Sequence, residues 1–166
     1  MKKLYIRRME ERDLSEVLKI YNYYVVNSTA TFSIEEIDLK EMEYLAFSGL
    51  ERFPSFVLLE EGEKIVGYSL FNRYKPREAY DKTAEVTIYM DKDSVGKGYG
   101  KEALAHLVEI GILNDFHALL AVVCAENEES IALFKKFGFF ECAHFREVGE
   151  KFGRKLDVIV LEKLMD

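Results

Sequence analysis

The sequence holds 166 residues, room for one domain and too little for two of ordinary size. Its composition is globular, 49% hydrophobic and 32% charged, and no apolar run nears the roughly 20 residues that span a bilayer. A net charge of −7 argues against a nucleic-acid partner, because phosphate contacts require a basic surface; small ligands stay open, since they feel local charge.

Residues 3–8 read as a first strand rather than a signal peptide, having basic residues but no long apolar core. Asp13-Leu14-Ser15-Glu16 has the spacing of a capping box, and Leu14, Val17, Leu18 and Tyr21 follow at helical intervals. Residues 27–32 are small and polar without periodicity, a loop. Asp38 with Glu41 opens a second helix carrying Leu39, Met42, Leu45 and Ala46. Phe56–Leu59 and Lys64–Phe71 flank Glu60-Glu61-Gly62-Glu63 as a hairpin. Residues 72–82 form a charged, aromatic loop or short helix, and 85–90 have the β-branched and aromatic content of a strand. Leu104, Leu107, Val108, Gly111 and Ile112 make an amphipathic helix, and 118–125 reads as a strand buried on both faces. Asn127 caps a helix with Glu128 and Glu129 in its first turn, Lys135 and Lys136 in its last, and Gly138 just beyond. Residues 139–145 and 155–161 are two more strands. The order βααββ followed by βαβαββ implies one α/β domain over residues 1–166 with a mixed sheet.

The stretch DSVGKGYGKEAL, residues 93–104, spends three of the chain's 10 glycines, Gly96, Gly98 and Gly100, between a strand and a helix. That arrangement presents bare backbone N–H groups, and a helix dipole, to phosphate. It is not a P-loop, because Gly100-Lys101 is followed by Glu102 and Val95 stands five positions before Gly100. Nor is it a dinucleotide fingerprint, the spacing being G-x-G-x-G. A tight connection with no ligand is the plain alternative.

With the strand before it, the helix and strand after it, and Asn127-x-x-Ser130 opening a helix that ends in Gly138-Phe139, the loop resembles that of the GCN5-related N-acetyltransferase (GNAT) superfamily. Ile6-Arg7-Arg8 with Asp13-Leu14, Ile20-Tyr21-Asn22, residues 27–32, Arg77-Glu78-Ala79-Tyr80, Glu85–Tyr89, Ala125–Ser130, and Arg146–Arg154 with Asp157 are similar, in order, to the phosphinothricin and methionine-sulfoximine acetyltransferase subfamily. The resemblance implies the GNAT fold, a mixed and mostly antiparallel sheet of six to seven strands flanked by about four helices. It implies an acetyl-CoA-dependent N-acetyltransferase acting on the amine of a small amino acid or analogue, cytoplasmic and homodimeric. An acceptor such as a polyamine or protein N-terminus, and a non-catalytic CoA-binding module, are the alternatives.

The roles carried over are these. The N–H groups of Val95, Gly96, Lys97, Gly98, Tyr99 and Gly100 hold the pyrophosphate, and Asn127, with Ser130 beside it, meets the pantetheine arm. The strand backbone at Ile88, Tyr89 and Met90 stabilises the thioester oxygen as it gains charge. Glu85 is the candidate base, needed because an ammonium has no lone pair, although most strand-end glutamates are merely solvated. Arg77 can grip an acceptor carboxylate bidentately or be an ordinary surface arginine. Phe32 and Tyr80 wall the acceptor pocket or belong to the core. The sequence departs from the family at Val95, where Arg or Gln is usual, and at Phe134, where Tyr or His is usual; Phe134 has no proton to give a leaving thiolate. Lys151, Arg154 and Asp157 are either a hairpin salt-bridge set or a border of a neighbour's site. Cys124 and Cys142 are expected to be buried free thiols, and His106, His117 and His144 lack metal-ligand spacing, so no metal is expected.

Overall fold

A computed structural model describes residues 2–166. The elements run β1 (Tyr5–Arg8), α1 (Leu14–Asn27), α2 (Leu39–Ala46), β2 (Ser55–Glu60), β3 (Lys64–Arg73), β4 (Thr83–Met90), α3 (Tyr99–Leu113), β5 (Ala118–Cys124), α4 (Glu128–Lys136), β6 (Phe140–Lys151) and β7 (Arg154–Leu164). Short 3-10 turns lie at Glu11–Asp13, Glu78–Tyr80 and Lys92–Ser94. The sheet order is β1-β2-β3-β4-β5-β7-β6, with β4 and β5 parallel and every other neighbour antiparallel. This is the mixed, mostly antiparallel α/β architecture expected.

Side chains alternate between the sheet's faces with the period of a strand, so each face builds its own core. On one face α1 and α2 bury Val17, Ile20, Val25 and Met42 over Val57, Leu59, Tyr68 and Leu70. On the other, α3 and α4 bury Leu104, Leu107 and Phe134 over Phe71, Val86, Leu119 and Leu161. Two helix starts form as the sequence dictates. Asp38 Oδ1 accepts from the Glu41 N–H and Glu41 Oε2 from the Asp38 N–H, both at 2.8 Å. Asn127 Oδ1 accepts from the Ser130 N–H at 3.2 Å.

Three expectations are corrected. The Asp13–Glu16 box does not form: the Asp13 carboxylate instead takes a bidentate pair from Arg7 (2.7 and 2.9 Å) and the Glu10 N–H (2.8 Å). A charge-assisted fork outcompetes a helix-capping contact, and it holds the Asp13 carboxyl below its ordinary range. Cys142 is exposed, because β6 is the edge strand and its register shifts between Glu141 and Ala143; Cys124 is buried, and both thiols are free. β5 is not buried on both faces throughout, since Val122 is 48% exposed. The reason lies in how β4 and β5 meet.

Candidate active site

β4 and β5 share only the pairs Thr83–Ala118, Ala84–Leu119 and Glu85–Leu120. Beyond Glu85 the parallel strands part, and the fork encloses a cleft of about 420 Å³ with residues 85–90 as one wall and 121–124 as the other. Val122 looks into this gap. Of the residues expected in the site, Glu85, Ile88, Tyr89, Met90, Val95, Gly100, Asn127 and Ser130 line the cleft. Phe134 lines it too, and is buried with its ring edge-on to Phe139.

At the mouth, Gly96 and Gly98 both sit at φ 82°, and a Cβ on either would meet no atom within 4 Å. The glycines are therefore required by the left-handed backbone rather than by crowding. Gly98 caps α3, whose first intrahelical bond runs from the Glu102 N–H to the Gly98 carbonyl at 3.3 Å. Among the described residues, the N–H groups of 95–101 find no protein acceptor. Consecutive free donors at the start of a 15-residue helix fit a pyrophosphate.

The side chains of Lys97 and Tyr99 turn away from the cleft. Tyr99 is buried and donates its hydroxyl to Glu60 Oε1 at 2.8 Å, and Lys97 Nζ and Lys2 Nζ each reach the same carboxylate at 3.3 Å. Glu60 is only 4% exposed. The Tyr99 hydroxyl, then the two lysines, hold its carboxyl down to about 2. Lys97 is thus committed to Glu60, and the cradle presents main chain. Glu60 escaped sequence reading because it is one of three acids around a hairpin; only the crossing of the β2 end beneath the start of α3 singles it out.

Glu85 stands at the crotch of the fork, opposite Asn72 on β3 and Leu120 on β5. Its carboxylate makes no hydrogen bond to the described residues, and burial alone raises its pKa. Above it the 28–33 loop is strapped in place. Tyr89 Oη donates to the Ala30 carbonyl (3.1 Å), Lys151 Nζ to the Thr31 carbonyl (2.8 Å), and Thr29 Oγ1 to Glu126 Oε1 (2.6 Å). Glu126 also takes a bidentate pair from Arg154 at 2.8 and 3.1 Å. Asp157 accepts from the Glu147 N–H and pairs with His144 Nε2, both at 2.8 Å. Lys151, Arg154 and Asp157 therefore have three separate partners and are not one salt-bridge set.

Phe32, Arg77 and Tyr80 do not line the cleft. The Phe32 ring lies against Gly149 of β6, in space a Cβ there would occupy. Arg77 precedes the Glu78–Tyr80 turn, and Tyr80 stacks edge-on to Tyr74 at 5.4 Å. No group of three or more His, Cys, Asp or Glu side chains placed to hold a metal occurs among the described residues.

Residues 6–160 match the family described as "Acetyltransferase (GNAT) domain". The chain is 30% identical over 162 residues to an L-methionine sulfoximine/L-methionine sulfone acetyltransferase of Pseudomonas aeruginosa, covering 97% of this chain and 94% of that one. It is 32% identical over 161 residues to a phosphinothricin N-acetyltransferase of Streptomyces coelicolor, covering 95% and 94%. Its fold superposes on a phosphinothricin acetyltransferase from Sinorhizobium meliloti solved in complex with AcCoA, with a TM-score of 0.92 at 30% identity over 98% of this chain and 88% of that one. Matches of this length, on a sheet forked in this way, leave a single assignment: the chain belongs to the GNAT acetyltransferase family and is an N-acetyltransferase.

Proposed function

We propose that the chain moves an acetyl group from acetyl-CoA directly to the α-amine of a small amino acid or analogue, of the phosphinothricin or methionine-sulfoximine type, with Glu85 as the base. The observation that carries this is the position of Glu85: a half-buried, unpartnered carboxylate where the cofactor cleft closes. Acetyl-CoA supplies the activated acetyl thioester; the rest is done by this chain's residues. The free N–H groups of 95–101 hold the pyrophosphate, and the Asn127 amide nitrogen stays free for the pantetheine arm because its oxygen caps α4. The β4 edge past Glu85 bears no strand, so those of its N–H groups not paired with β3 are available to a carbonyl oxygen gaining charge. Glu85 accepts the proton that an acceptor ammonium must lose before it can attack. Phe134 offers no acid to the departing thiolate.

Names among its relatives support the amino-acid acceptor. One neighbour favours a second reading: a protein from Brucella melitensis with a TM-score of 0.90 and 34% identity, covering 97% of this chain and 99% of that one, is described as a ribosomal-protein-alanine N-acetyltransferase. Thiol release on a panel of free amino acids, an alanine-initiated peptide and spermidine tests both readings. Turnover of the amino acids supports the first, and turnover of the peptide or spermidine alone would replace it. We place the enzyme in the cytoplasm as a homodimer, the second copy covering β6, an unpaired edge strand whose Phe140, Phe145 and Val148 are about half exposed or more.

A further inference from the structure

Beside the cleft, on the face covered by α1 and α2, lies a second cavity of about 130 Å³. It shares Thr87 and Tyr89 with the cleft, so the two spaces meet at β4. Register explains its floor. Tyr68 lies opposite Tyr89, Leu70 opposite Thr87 and Asn72 opposite Glu85, and antiparallel partners point to the same side. The floor therefore becomes more polar toward Glu85, and Met42 and Leu45 of α2 form an apolar wall.

Tyr21, Thr31 and Tyr89 in its wall are hydrogen-bonded within the protein, whereas three other polar side chains there are not. Tyr68 is 1% exposed, yet its hydroxyl makes no hydrogen bond among the described residues, and neither do the Asn72 amide and the Thr87 hydroxyl. Asn72 and Thr87 are partly exposed, so the three are open donors converging on one cavity beside the cleft, as in a ligand site. Desolvation keeps Tyr68 a neutral phenol. All three side chains can donate. No Lys, Arg or His lines the space, and Glu85 adds negative charge at its open end.

We propose that this cavity receives the side chain of the acceptor amino acid and selects a neutral, hydrogen-bond-accepting group, such as a sulfone, sulfoximine or amide, over an anionic phosphinate. The inference rests on the amino-acid reading above. It narrows that reading, because the relatives' names span both a neutral sulfone and an anionic phosphinate. Phosphinate enters at a disadvantage: an anion leaving water here finds donors but no cation in the lining, Lys151 being held on the Thr31 carbonyl, and a carboxylate nearby. An apolar side chain fits the Met42–Leu45 wall but leaves the donors unpaired.

The test compares methionine sulfone, norleucine and phosphinothricin as acceptors for the native enzyme, Tyr68→Phe and Asn72→Ala. The native enzyme should prefer the sulfone to each of the others by at least about tenfold in kcat/KM. Tyr68→Phe, which keeps the ring stacked on Tyr89, should shrink the sulfone-to-norleucine ratio by about tenfold, the size of one hydrogen bond. Asn72→Ala should move the ratio the same way. Calorimetric binding of methionine sulfone to the CoA-bound protein should weaken in parallel, without turnover. A native preference for phosphinothricin, or variants that scale all three acceptors equally, would overturn the assignment while amino-acid turnover stands. Turnover of spermidine or a peptide with none of the amino acids would overturn the amino-acid reading itself.

Discussion

Glu85 is held where a carboxylate is least comfortable, half-buried with no donor, and that discomfort is what suits it to accept a proton. Burial raises its pKa, so the proton-accepting form is lost at a higher pH than for an ordinary glutamate. The acid limb of kcat/KM should accordingly lie above the ordinary carboxylate range and vanish in Glu85→Gln, with activity near neutral pH reduced by at least about 100-fold. The same shift sets the sign for stability. A carboxyl whose folded pKa exceeds its unfolded value favours the fold when protonated, and that contribution is lost as pH rises through the folded pKa. Thermal melting of Glu85→Gln should therefore show a higher Tm than the native protein at neutral pH, with the gap closing in acid. An unchanged rate in this variant would move the base elsewhere. Glu85 was legible in the sequence by its place before the glycine loop and by family resemblance. Glu60 was not, because its burial is created by two segments 39 residues apart meeting through Tyr99.

The glycine loop and α3 act together as one device. Gly96 and Gly98 put the backbone in a left-handed path, Tyr99 and Lys97 lock it from behind onto Glu60, and the amides face outward. Gly98→Val forces a β-branched residue to φ 82°, a conformation such side chains resist strongly. KM for acetyl-CoA should rise by at least about tenfold, as read by thiol-release kinetics; an unchanged KM would mean that the loop does not hold the cofactor. The space around Gly98 is open, so the damage comes from the backbone as much as from a side chain intruding on phosphate. Order and type of element were legible throughout, because local signals agree with their setting at Asp38, Asn127 and Gly138. They failed where a distant partner competes, as Arg7 does for Asp13, and where edge-strand irregularity decides exposure, as at Cys142. The residues proposed to meet the acceptor were hardest to place: Phe32, Arg77 and Tyr80 match family blocks but sit off the cleft, while Tyr68, Asn72 and Thr87 meet only through cross-strand register.

Seen whole, the molecule ends in β6, a 12-residue edge strand with apolar side chains facing outward. Phe145→Glu places a charge in the middle of the proposed subunit contact and should convert a dimer into a monomer in sedimentation velocity, without loss of the folded Tm. A native protein that already sediments as a monomer would refute the contact. Lys151, and Arg154 through Glu126, hold the 28–33 loop from the far end of the same hairpin, so the proposed subunit contact and the loop position would be joined through β6 and β7. The short seam between β4 and β5 has a mechanical consequence. A sheet of seven strands is usually a single plate, but this one is two plates, β1–β4 and β5–β7, hinged on three residue pairs. Few hydrogen bonds join the two, and the core beneath α3 and α4 is what spans them. A molecule lodged in the fork is then also a splint, and amide exchange along Val86–Met90 is where the stiffening would register.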